Sequence, residues 1–238
     1  MWPVDMESLI VCQQELAEIT AQPWTPEDRG VRVGGCWVCF PRGLAGRGSA
    51  GDSTWTASVV MRGDVVVDQL VRAGAAGAPY TPGLLALRIG QVMEQATRAL
   101  GTGPDVLLVD GTGRDHPRRA GLAVHLGAEL AMPTVGLTHR PLLAEGDRPA
   151  DRRGATSLLR VGDDVVACWL RTQAGVRPLV VHPGWRVDMD TAIDIVVSTS
   201  PRCRTPEPLR RARTIARGAR AQAGRTPPTA RGSRARAP

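Results

Sequence analysis

Apolar residues cluster in short runs along the chain, and their spacing changes in a definite order. Residues 6–20, MESLIVCQQELAEIT, carry apolar positions at helical intervals, followed by a proline-containing linker, AQPWTPEDRG. Three strand-like runs come next: VRVGGCWVCF (31–40), WTASVVMRG (55–63) and DVVVDQLVRA (64–73), with RGD between the last two reading as a tight turn. That is the pattern of an antiparallel meander. A Gly/Pro-rich loop leads into a helical stretch, LLALRIGQVMEQATRAL (84–100), and then an apolar strand ending in Asp and glycines, DVLLVDGTG (105–113). A helix around PRRAGLAVHLGAEL (117–130) precedes a short strand, PTVGLTH (133–139). SLLRVGDDVVACWLRT (157–172) has the form of a hairpin turning at GDD, and RPLVVHPGW (177–185) is another strand and loop. Two final helices are expected in DMDTAIDIVVSTS, capped by Asp188 or Asp190, and in PEPLRRARTIARGARAQ. A meander followed by β-α-β units predicts an α/β protein with a mixed sheet and helices on its faces.

Composition narrows the class. The 238 residues suit one sizeable domain with extensions: an N-terminal helix and linker over 1–30, a folded body over 31–220 and an Arg-rich tail over 221–238 expected to be disordered. No apolar run is long enough for a bilayer, and the N-terminus lacks a signal-peptide pattern, so a soluble cytoplasmic monomer is expected. The chain has no lysine and a formal net charge of +7. Residues 201–238 hold eleven arginines against the single acid Glu207, which leaves the first 200 residues with 19 basic and 22 acidic side chains, a net of −3. The basic character therefore belongs to the tail. The five cysteines are odd in number and scattered, which fits reduced thiols. Cys36 and Cys39 form C-x-x-C, but on a strand residues three apart face opposite ways, so a packing role is expected.

Chemistry is densest at LLVDGTGRDHPRRAGLAVHLG (107–127). A carboxylate at the end of a parallel strand, before a glycine loop, is where open α/β sheets place ligands. Gly111 and Gly113 would admit a ligand close to the backbone, and His116, Arg118 and Arg119 supply donors suited to phosphate. Val109–Gly127 resembles the signature V-D-G-x-G-x-x-H-P-R-x-x-G-x-A-x-H-x-G of the endonuclease V family, which nicks nucleic acid near deaminated purines. PYTPG (79–83), PTVGLTH and TPEPLRRA (205–212) match its other segments in order and spacing. The resemblance implies an RNase H-like sheet, a DNA or RNA partner containing inosine, and Mg²⁺ as cofactor. It also implies that Tyr80, on the Pro79–Pro82 loop, fills the gap left by a flipped base. Gly83, Leu85, Gly111 and Gly121 would then line the base pocket, with Gly113 beside them.

The same comparison exposes departures. The family's metal ligands are an Asp in G-x-D-x-x-F, a Glu after the Arg of the next helix, and the Asp of V-D-G. Here Trp37 and Ile89 stand at the first two positions, and only Asp110 remains. His139 replaces a usual Lys, and Trp185 a His. Apolar replacements remove the repulsion among clustered carboxylates that a cation would otherwise offset. A metal site filled by core is expected, with Asp110 neutralised by His116, His139 or Arg88. A weak site of Asp110, His116 and His139 is the remaining metal possibility, with His182 more remote and His125 expected to pack. Two functions follow: a divergent nuclease with impaired cleavage, or a non-catalytic pseudonuclease binding lesion-containing nucleic acid or a small purine.

Overall fold

The computed structural model describes residues 2–26 and 30–224. Thirteen elements follow one another in the order β and α patterns anticipate: α1 (Met6–Glu18), β1 (Arg32–Cys39), β2 (Ser53–Arg62), β3 (Val65–Ala75), α2 (Leu85–Arg98), β4 (Val106–Asp110), α3 (Leu122–Leu130), β5 (Thr134–Thr138), β6 (Thr156–Val161), β7 (Asp164–Leu170), β8 (Leu179–Pro183), α4 (Met189–Ser198) and α5 (Glu207–Ala223). The strands form a single mixed sheet in the order β3-β2-β1-β4-β5-β8-β7-β6. β1, β4 and β5 run parallel, the meander extends one side antiparallel, and β8, β7 and β6 return antiparallel on the other. This is the mixed α/β fold that the sequence predicts. The Arg-rich stretch from 225 onward lies outside the described residues.

β4 shows why the sheet sits in the middle. Its four apolar residues are fully buried, and alternation sends Leu107 and Val109 to one face, Val106 and Leu108 to the other. On the first face they meet α1, α2 and α3 through Leu9, Ile89, Met93 and Leu122. On the second they meet α4 and α5 through Ala192, Ile195, Val196 and Leu209. Each such side chain contributes about 1.5–3 kcal/mol relative to exposure. Cys36 packs on the first face and Cys39 on the second, as period-2 alternation requires. Burial pushes the Cys36 thiol up to about 11, which leaves it inert.

Two packing details position the site. Gly35 lets the start of α5 rest directly on β1: a Cβ there would lie 2.5 Å from the Leu209 nitrogen. α1 docks on the first face with Leu9 and Gln13 buried, entered through a capping box between Asp5 and Ser8. The α4 cap is Asp188, whose carboxylate accepts the Thr191 N–H at 2.8 Å.

Candidate functional site

The parallel strands β4 and β5 end side by side, Asp110 paired with Leu137, and the loops that follow enclose two adjoining cavities. The first, about 250 Å³, is lined by Tyr80, Pro82, Gly83, Leu85 and Gly111, all expected there, together with Asp110 and His116. Gln13, Ala86, Thr112, Leu122, Thr138 and Leu142 complete the wall, and no fixed motif position marks them for it. Gln13 comes from α1, and only tertiary docking brings it to the site. Three expected residues do not line it: Pro79, Gly113 and Gly121. Gly113 and Gly121 serve close packing instead, since a Cβ would lie 2.4 Å from the Pro183 carbonyl oxygen and 2.2 Å from Thr112 Oγ1 respectively.

The tyrosine loop is braced from below. Gly83 turns with φ +74°, and its carbonyl accepts from Arg118 Nη2 (2.7 Å), His116 Nε2 (3.0 Å) and Gln13 Nε2 (3.3 Å). His116 Nδ1 meanwhile accepts the Arg118 N–H at 3.2 Å, so the ring is neutral and protonated on Nε2. Burial agrees, lowering the His116 pKa to about 4. His116 therefore acts here as a pocket wall and a brace. Tyr80 stands above, 46% exposed, with its N–H donating to the Arg47 carbonyl at 2.7 Å.

The second cavity, about 200 Å³, joins the first through Tyr80, Leu85 and Asp110. Trp37, Ile89 and Asp110 all line it, so the three positions where the resemblance calls for carboxylates do converge in space. Asp110 is the one carboxylate among the lining side chains, which are otherwise mostly apolar: Val38, Phe40, Met93. Asp110 is open to solvent on one side, but the crowded cleft raises its pKa to about 6 against the opposing pull of Arg213.

The expected basic partners of Asp110 are engaged elsewhere. Arg88 is buried, bonding Asp52 at 2.8 Å and lying 4.4 Å over the Phe40 ring. His116 holds Gly83, and His139 is exposed beyond β5. The cation that Asp110 feels is Arg213 of α5, which stacks 5.3 Å over Trp37 and leaves its buried Nε without a partner among the described residues. Arg213 lies just past the P-E-P-x-R segment, and nothing in the local sequence marks it.

Three other expectations resolve into packing. β8 runs antiparallel to β5, so Trp185 falls at the start of β5: its N–H donates to Thr134 Oγ1 at 2.8 Å and its ring packs with Leu16, Ala120 and Val124. It does not border Asp110. His125 is buried and stacked on Trp2 with 4.6 Å between centroids. His182 is buried with Nε2 at 2.9 Å from Thr138 Oγ1. Among the described residues, no three His, Cys, Asp or Glu side chains form a group that could hold a metal.

The Asp110 environment predicts a pH-dependent stability. Its folded pKa of about 6 exceeds the ordinary 3.8, so the ionised carboxylate disfavours the folded state above pH 6, and that penalty fades as pH falls toward 4. Because Asp110 is partly solvated, Asp110→Asn is expected to raise the Tm only slightly at pH 7.5, with the difference shrinking as pH falls through 6 and vanishing below 3.8, measured by thermal denaturation across that range.

An aspartate at the end of a central strand, beside a pocket with an exposed tyrosine on a proline loop at its rim, gives an α/β protein with its cavities at the C-terminal ends of the parallel strands. The family model for endonuclease V matches residues 26–214. An endonuclease V from Streptomyces avermitilis is 36% identical over 222 residues, 92% of this chain and 93% of its own length. One from Roseiflexus castenholzii is 37% identical over 220 residues, covering 90% and 93%. The crystal structure of a Streptomyces avermitilis endonuclease V superposes with a TM-score of 0.83 at 36% identity, over 94% of this chain and 96% of that one. A Ciona intestinalis endonuclease V, solved with DNA containing an inosine, shares the fold with a TM-score of 0.75 at 21% identity, over 91% and 98%. The chain belongs to the endonuclease V family. No helix among the described residues is long and apolar enough to cross a membrane.

Proposed function

We propose that this protein binds nucleic acid containing a deaminated purine, inosine above all, and cuts it weakly or not at all. The observation that carries the reading is the meeting of Trp37, Ile89 and Asp110 in one cavity. Mg²⁺ takes near-octahedral oxygen ligands and is usually held by one or two carboxylates together with substrate phosphates. An indole, an isoleucine side chain and one aspartate facing a guanidinium do not fit that donor set.

Recognition has more support. The first cavity, about 250 Å³, has both glycine backbone and polar side chains in its wall, and the exposed Tyr80 is part of its lining. Extruding a base from its stack costs a few kcal/mol, least for a mispaired or damaged one, and an aromatic wedge can take its place. The three donors on the Gly83 carbonyl, the Arg118 guanidinium among them, hold that wedge without a metal ion.

The test is a binding and nicking assay on oligonucleotides with and without one inosine, in EDTA, Mg²⁺ and Mn²⁺. The same inosine preference is expected in all three, with at most a trace of nicked product. Metal-dependent nicking that turns over the substrate completely and is abolished by Asp110→Ala would overturn the reading. Tyr80→Ala is expected to lower the inosine preference about tenfold, since stacking on one base is worth about 1–3 kcal/mol.

A further inference from the structure

One strand beyond Asp110, the chain builds a second concave site that the base pocket does not use. His139, Arg140, Arg148, Trp169, Arg177 and Pro178 line a cavity of about 330 Å³. Three of these side chains are guanidinium groups and none is a carboxylate. Arg140, Arg148 and Arg177 make no side-chain hydrogen bond or ion pair with a described residue. Their neighbour Arg204 is tied to the same wall, donating to the Arg177 carbonyl at 2.7 Å and to the Pro178 carbonyl at 2.8 Å.

Mutually repelling cations gathered on one concavity are stabilised by an anion, and guanidinium groups match phosphate oxygens in fork geometry. We propose that this cavity is a phosphate subsite for the nucleic-acid strand that carries the lesion; this rests on the lesion-binding reading. Trp169 is only 7% exposed, so it cannot serve as a base platform. It instead backs Arg148, whose guanidinium lies 5.9 Å from its ring centroid. The loop bearing Arg148 is fixed at both ends. Asp115 accepts the N–H groups of Leu142, Leu143 and Ala144 on one side, and Arg171 donates to the Pro149 and Ala150 carbonyls on the other. A loop ordered before binding loses less entropy on binding. Position favours the strand as ligand: Asp110 pairs with Leu137, and His139 lies two residues further along the chain, just past β5.

The test uses the full chain and the double variant Arg148→Gln/Arg177→Gln, both positions exposed, with Tm measured to confirm folding. Affinities for single-stranded oligonucleotides with and without inosine are taken over a series of salt concentrations. The variant is expected to bind both about tenfold more weakly, with its inosine preference unchanged. The slope of log affinity against log salt should fall by about 1.4, the share of two phosphate contacts on a single strand. Unchanged affinity and slope would overturn the subsite. Should the wild type show no inosine preference, general oligonucleotide affinity still reads the subsite while the lesion reading fails. Should it bind no oligonucleotide, calorimetry with pyrophosphate decides. Binding lost in the double variant keeps a phosphate subsite for a free ligand, and no pyrophosphate binding by the wild type overturns it.

Discussion

Replacing Trp37 by Asp and Ile89 by Glu together, with Arg213→Gln, is expected to create metal-dependent nicking of an inosine-containing oligonucleotide, at least about a hundredfold above wild type. All three positions where the resemblance calls for carboxylates line one 200 Å³ cavity, and truncating the indole, which packs toward α5, opens space beside Asp110 and Arg213. The third change follows from electrostatics. Arg213 lies 5.3 Å over the Trp37 ring, so a carboxylate introduced at position 37 would pair with the guanidinium and not with a metal ion. The double variant that retains Arg213 should therefore gain less activity than the triple. A thermal readout accompanies the activity. Without metal, three facing carboxylates repel, and the triple variant should melt below wild type; Mn²⁺ should restore much of the loss while leaving wild type unchanged. A folded triple variant with neither a Mn²⁺-dependent rise in Tm nor nicking would show that more than side-chain identity has been lost from this site.

The largest expected effect on stability lies at Asp115, outside both cavities. Its side chain is wholly buried and accepts three consecutive backbone N–H groups, from Leu142 at 2.7 Å, Leu143 at 2.8 Å and Ala144 at 2.9 Å. Asp115→Ala leaves all three without an acceptor. Water can reach the exposed Leu142 and Leu143 but not the buried Ala144, so the cost is about 2–4 kcal/mol, or roughly 5–15 °C in Tm. Asp115→Asn keeps the oxygen that serves Leu143 and Ala144 but turns an amide N–H toward Leu142, and about half the loss is expected. The same loop carries Leu142 to the first cavity and Arg148 to the basic cavity. Asp115→Ala should therefore weaken inosine preference and general affinity together, whereas Tyr80→Ala and the double arginine variant each affect one of them. Urea denaturation alongside the binding assay checks both, and a stability within about 1 kcal/mol of wild type would refute the anchor.

Much of the architecture is legible along the chain because strand and helix periodicities are local. The cysteines of C-x-x-C land on opposite faces, and the meander and hairpin close where RGD and GDD stand. Misplacements have physical causes. The helix anticipated from residue 117 begins at Leu122, because residues 111–121 are held in a loop by the Gly121 N–H to Gly113 carbonyl bond and by Arg119 at φ +54°. Trp185, at a position where the family usually carries His, lies at the other end of β5 from Asp110 because β8 returns antiparallel.

The sequence by itself determined the order of elements, the motif-bearing loops and the presence of Trp37 and Ile89 where the resemblance calls for carboxylates. These depend on residue identity and on spacing within a few turns of chain. Only the tertiary structure decided that those replacements meet Asp110 in one cavity, that Arg213 is the cation beside it, and that Arg140, Arg148 and Arg177 converge on a concavity without a carboxylate. Such convergence depends on strand order and on how closely α5 rests on Gly35, and these are set by packing between residues far apart in the chain.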